Sequence, residues 1–106
     1  MLKSYYHATP FENIQSIFRK GILRGCDGVV YLTEKPEEAM RFLMIRGCKK
    51  ALVIEVELED DMVEESFDHN KMFFDCRAFV YPYDISVDEF GDNVRTYEVS
   101  KTAKYN

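Results

Sequence analysis

His7 is the side chain in this 106-residue sequence whose type and setting most invite a chemical reading, because histidines number only two. It closes a short aromatic run, Leu2-Lys3-Ser4-Tyr5-Tyr6-His7-Ala8, and stands just before Thr9-Pro10-Phe11-Glu12. An imidazole there can serve as a neutral donor–acceptor for a ligand, and it equally fits a structural or surface histidine. Nucleophilic catalysis lacks its usual frame, with no Gly-x-Ser-x-Gly elbow and no recognisable Cys–His spacing. Cys26, Cys48 and Cys76 follow neither a metal-ligand spacing nor a disulfide framework. Together with His7 and His69 they are too scattered for a zinc site. No phosphate-cradling glycine loop is present.

The elements that would position these residues are legible from periodicity. Residues 2–8 are free of breakers and read as a first strand. Thr9 is suited to cap a helix, Pro10 to its first position and Glu12 to complete a capping box. Phe11, Ile14, Ile17 and Phe18 make the buried stripe of that helix, and Gly21 stops it. Gly25-Cys26-Asp27-Gly28 is a turn, and Val29-Val30-Tyr31-Leu32 an apolar, internal strand. A second helix opens near Thr33 or Lys35, carries Pro36 and Glu37-Glu38 in its first turn, and closes at Gly47.

Residues 51–58 are the plainest strand, with Leu52, Ile54, Val56 and Leu58 on one face. Ala51, Val53, Glu55 and Glu57 share the other, and the two glutamates read as solvated. Glu59-Asp60-Asp61 is an exposed turn, and 64–74 a short strand or an irregular loop. Arg77–Tyr81 is a strand stopped by Pro82, and Val94–Val99 the last strand. The order implies one α+β domain over residues 1–106 rather than a doubly wound sheet.

Composition bounds the function classes. Apolar residues are 46% and charged residues 31%, which suits a folded domain of one core. Fifteen aromatics point to a core of Tyr and Phe or to a ring-lined cleft. A formal charge of −5 disfavours non-specific binding to nucleic acid or anionic membrane. Arg41, Arg46, Lys49 and Lys50 read as the C-terminal end of the second helix, where cations complement the helix dipole. No apolar run approaches the ~20 residues of a membrane span, and no signal peptide is evident, so the expected location is the cytoplasm.

The blocks Tyr6-His7-Ala8-Thr9-Pro10, Asn13-Ile14, Ile17 and Gly21-Ile22 resemble the opening of a small ADP-ribosyltransferase-like domain. Val29–Thr33 followed by Pro36-Glu37-Glu38-Ala39 resembles the second block of that family, and Val53–Leu58 its next strand. The resemblance spans roughly residues 5 to 58. It implies about six strands in a split mixed sheet with two helices, and NAD as cofactor. It places NAD contacts on His7, Ala8, Thr9, Tyr31 and Tyr81, with His7 at ribose hydroxyls and the Tyr31 ring against nicotinamide. Thr9 is left either to touch the ligand or to cap the helix.

Family enzymes carry a glutamate near the start of a later strand, to bind the ribose and orient the nucleophile. The segment Asp75-Cys76-Arg77-Ala78-Phe79-Val80-Tyr81 matches that strand, but Arg77 or Ala78 stands where the glutamate is expected. Asp75 is the nearest acid and becomes the catalytic candidate. The implied activity is transfer of ADP-ribose from NAD to a protein or nucleic-acid acceptor. The absent glutamate motivates a second expectation, a non-catalytic binding module on the same fold. A third is the NAD-dependent RNA 2′-phosphotransferase reaction, in which Arg77 would take the place of the acid.

Overall fold

In the strand over residues 50–59 the run Ala51-Leu52-Val53-Ile54 is apolar on both faces, which suits a place inside a sheet. The computed structural model of the protein describes residues 1–66 and 77–98. In it the strand, β3 (Lys50–Glu59), is flanked by β1 (Leu2–Pro10) and β6 (Phe90–Glu98). Beyond β1 come β2 (Val30–Thr33), β5 (Ala78–Tyr81) and β4 (Glu64–Ser66), giving the order β4-β5-β2-β1-β3-β6. Every neighbouring pair in this order is antiparallel. The expectation of a split mixed sheet is therefore corrected to one antiparallel sheet, within the α+β class. Side-chain periodicity fixes which residues share a face but not the direction in which strands pair.

The core lies on the face of Tyr5, Val30, Leu32, Leu52, Ile54, Val56, Leu58, Phe79 and Tyr81. Helix α1 (Ile14–Lys20) covers it through Ile17, with Ile22 and Ile85 bridged beside it. Among the described residues this core is mainly aliphatic, with Tyr5, Phe79 and Tyr81 its buried aromatics. Helix α2 (Pro36–Ile45) packs on the opposite face, where Ala39, Ala51 and Val53 are buried. Its Glu37 meets Arg95 of β6 at 3.4 Å, and Arg95 is in register with Val53.

Both helix stops fall where the glycines stand. Gly21 has φ +83°, and a Cβ there would collide with the Ile85 carbonyl oxygen, so only glycine fits. Gly47 has φ +92° and forms a Schellman ending: its N–H bonds the Met44 carbonyl while Cys48 N–H reaches that of Leu43. Arg46 caps α2, with Lys49 and Lys50 beyond it, so those cations do not occupy the last helical turn as expected. Lys50 instead lies over the Phe11 ring at 4.0 Å.

The start of α1 differs from expectation. Thr9 and Pro10 belong to β1, paired with Leu52 and Ala51. A 3₁₀ turn, Phe11–Asn13, then leads into α1, and no side chain caps it. Thr9 is buried and its hydroxyl accepts from Asn13 Nδ2 at 3.0 Å. Ladder pairing holds Thr9 within the strand, and Pro10, which has no N–H to donate, stands at the strand's last position, where the ladder ends.

Candidate functional site

The two flanks of β1 are unequal. Against β3 it pairs along its whole length, from Leu2 with Glu59 to Pro10 with Ala51. Against β2 the register consists of Tyr6 with Thr33. Next to that pair the link is made by a side chain: His7 Nδ1 lies 2.9 Å from the Tyr31 carbonyl oxygen. A carbonyl only accepts, so Nδ1 carries the proton and donates it. In the neutral ring Nε2 is then left as an acceptor. Burial is the larger influence on His7 and pulls its pKa below the ordinary imidazole value; the bond to Tyr31 opposes this. The ring is therefore neutral at neutral pH, and its free nitrogen is built to receive a hydroxyl or N–H donor.

Strand alternation decides which candidate residues meet here. His7 shares the core-side face of β1 with Tyr5 and Thr9, while Ala8 shares the other with Tyr6. Because Tyr6 and Thr33 are cross-strand partners, the Tyr31 side chain belongs to the face of Tyr6 and Ala8. It is 46% exposed between buried Val30 and Leu32. His7 and Tyr31 thus adjoin through imidazole and backbone, with their side chains on opposite faces of the sheet. Ala8 and Thr9 continue the same strand beside them.

Tyr81 is 7% exposed, sits in the core cluster and stacks edge-on against Tyr83 at 5.5 Å between ring centres. Tyr83, half exposed, offers the more accessible ring of that pair. Asp75 lies outside the described residues. A small open groove of about 90 Å³ is lined by Leu2, Lys3, Ser4 and Glu57. Ligand pockets usually run to roughly 300–1,000 Å³, so it is too small to enclose a dinucleotide.

No protein-family model matches this chain. Nor does any curated protein.

The charged groups around the start of β5 are committed to one another. Arg77 donates Nε and a terminal nitrogen to the two Glu65 carboxylate oxygens, both at 3.0 Å, and lies 3.8 Å from Glu34. Glu34 also accepts from Lys3 at 2.6 Å. Arg77 further covers the Phe79 ring at 5.0 Å. A guanidinium with both sides engaged in this way is a poor free anion receptor.

Glu55 is the residue that sequence reasoning misjudged. Glu57 is exposed as expected, but Glu55 is 9% exposed and fully engaged. Ser4 Oγ donates to Oε2 at 2.6 Å, while Asn93 donates both its backbone N–H and Nδ2 to Oε1 at 3.1 Å. Alternation flagged Glu55 only as off the core face; its donors stand far away in the chain and left no local mark. For metals, Glu59, Asp60 and Asp61 bring carboxylate oxygens together on the surface. Glu59 and Asp60 already hold the N-terminal ammonium, at 2.7 and 3.3 Å. Among the described residues no helix is long and apolar enough to cross a membrane.

Proposed function

We propose that this chain is an ADP-ribosyltransferase-like domain that binds NAD at the seam between β1 and β2. The observation that carries the reading is the neutral, tautomer-fixed His7, whose Nε2 remains an acceptor beside a ladder reduced to Tyr6 and Thr33. Ribose hydroxyls are donors of the matching kind. Ala8 and Thr9, next along β1, would meet the ligand through the strand; Tyr31 would serve through the carbonyl that orients His7, since its ring lies on the opposite face of the sheet from the imidazole. Transfer of ADP-ribose to a protein or nucleic-acid acceptor would need an acid near the ribose, the role assigned to Asp75. Cytoplasmic location belongs to the same proposal.

A second reading, a non-catalytic binding module on this fold, is favoured by one specific arrangement. Glu34, Glu55 and Glu65, three acids near the seam and β5 among the described residues, are each held in a hydrogen bond or ion pair. The phosphotransferase reading is weakened by Arg77, whose charge Glu65 and Glu34 already meet.

Calorimetric titration of NAD into the full chain separates these readings, with His7→Ala as the control. Binding that falls at least about tenfold in the variant, as loss of a buried hydrogen-bond partner entails, supports the seam. Unchanged affinity removes His7 from the site. Nicotinamide release abolished by Asp75→Ala would establish the enzyme, and NAD binding without release would establish the module.

A further inference from the structure

We infer that Glu55 is a carboxylate clip, a conformational device that locks the bulge of β6 and ties that strand, across β3, to β1. A carboxylate buried mid-strand among apolar neighbours is costly unless its oxygens are hydrogen-bonded. Here each flanking strand supplies donors: Ser4 from β1 to Oε2, and Asn93 from β6 to Oε1 through backbone and side chain.

The strands are shaped around the group. Ile54 pairs with Val94 and Val56 with Phe90, so one step of two residues on β3 spans four on β6. Residues 91–93, three where a regular ladder sets one, arch over Glu55. Gly91 leaves the space the carboxylate occupies, since a Cβ there would sit 2.6 Å from Glu55 Cδ. A two-residue surplus keeps the alternation of β6 but draws Phe90 back beside Val56, where it meets the Phe18 ring edge-on at 5.8 Å. Without the clip the regular pairing of Val56 with residue 92 competes with this register.

Titratable and charged groups near Glu55 are Tyr6 on β1, Glu57 on its own strand, Asp92, Arg95 and Tyr97 on β6, and Glu37 on α2. Arg95 is engaged by Tyr97 and Glu37. The Ser4 hydroxyl, foremost, holds the Glu55 carboxyl below its ordinary range; burial opposes it, and Asn93 and Asp92 assist. A depressed folded value makes the contribution complete above the unfolded pKa near ~4.3 and lost as pH falls through the folded one. The clip is thus closed at neutral pH and opens in acid.

The test is NMR on the full chain, following side-chain carboxyl carbons and backbone amides against pH, with hydrogen exchange at neutral pH. Glu55 should titrate below the ordinary carboxylate range, and the Asp92 and Asn93 amides should move with the same midpoint. In Glu55→Gln, amides of 94–98 should exchange about tenfold faster or more, while those of β2 and β5 stay at wild-type rates. Should that variant not fold, Ser4→Ala must still raise the Glu55 midpoint. An ordinary Glu55 midpoint, or wild-type exchange in Glu55→Gln, overturns the clip.

Discussion

The two sides of β1 show how one strand can be both scaffold and site. Toward β3, continuous pairing is backed by a buried face of Tyr5, Leu52, Ile54, Val56 and Leu58. Toward β2, the ladder is Tyr6 with Thr33, and an imidazole takes over where the backbone pairing stops. The first side derives its strength from apolar burial and ladder bonds, which have no ligand specificity. The second exposes polar groups whose geometry is fixed by the first. A strand so anchored can afford one loose flank, and a loose flank with an oriented acceptor is where ligand chemistry is possible.

The largest effect should come from attacking the scaffold side. Ile54, fully buried, should cost about 2–5 kcal/mol on truncation to Ala, read as a lowered denaturation midpoint. Gly21→Ala combines a left-handed φ with a collision at the Ile85 carbonyl, and should cost about 1–3 kcal/mol by the same assay. A fall as small as that of an exposed Gly→Ala change would deny the close approach.

On the seam side the pattern should reverse. His7→Ala should lower stability by only about 1 kcal/mol, the worth of one hydrogen bond, while removing most NAD affinity. Equal losses at Ile54 and His7 in both assays would erase the distinction between the flanks. A gentler probe is pH. The folded His7 pKa is lowered by burial, so the folded state binds fewer protons than the unfolded one between the two values. Stability should therefore decline as pH drops below ~6.5 and level off below the folded pKa, a slope absent in His7→Ala. The smallest effect is expected at Arg77→Ala, whose pairs with Glu65 and Glu34 are exposed; its melting midpoint should not move measurably.

Local signals are strongest where one residue decides the outcome. Gly21 and Gly47 mark helix ends because positive φ admits few alternatives. The alternation of 51–58 fixed the faces of β3, and the apolar Val30–Leu32 run its internal place. Thr9 misled because capping and strand pairing compete for the same residue, and the partner strand lies some forty residues away. Glu55 misled more deeply: Ser4 and Asn93 converge on it only once three strands are assembled. His7 was legible as a candidate from its place at a strand end. Its orientation opposite to the Tyr31 ring depends on the register of Tyr6 with Thr33, which composition and spacing do not carry.

The most direct test of the account is an amide-shift map of the labelled full chain on addition of NAD to millimolar concentration. The account predicts perturbations gathered at His7, Ala8, Thr9 and Tyr31 that vanish in His7→Ala, with Val94 to Glu98 of β6 unmoved. Shifts absent from the seam, or unchanged in the variant, would contradict it.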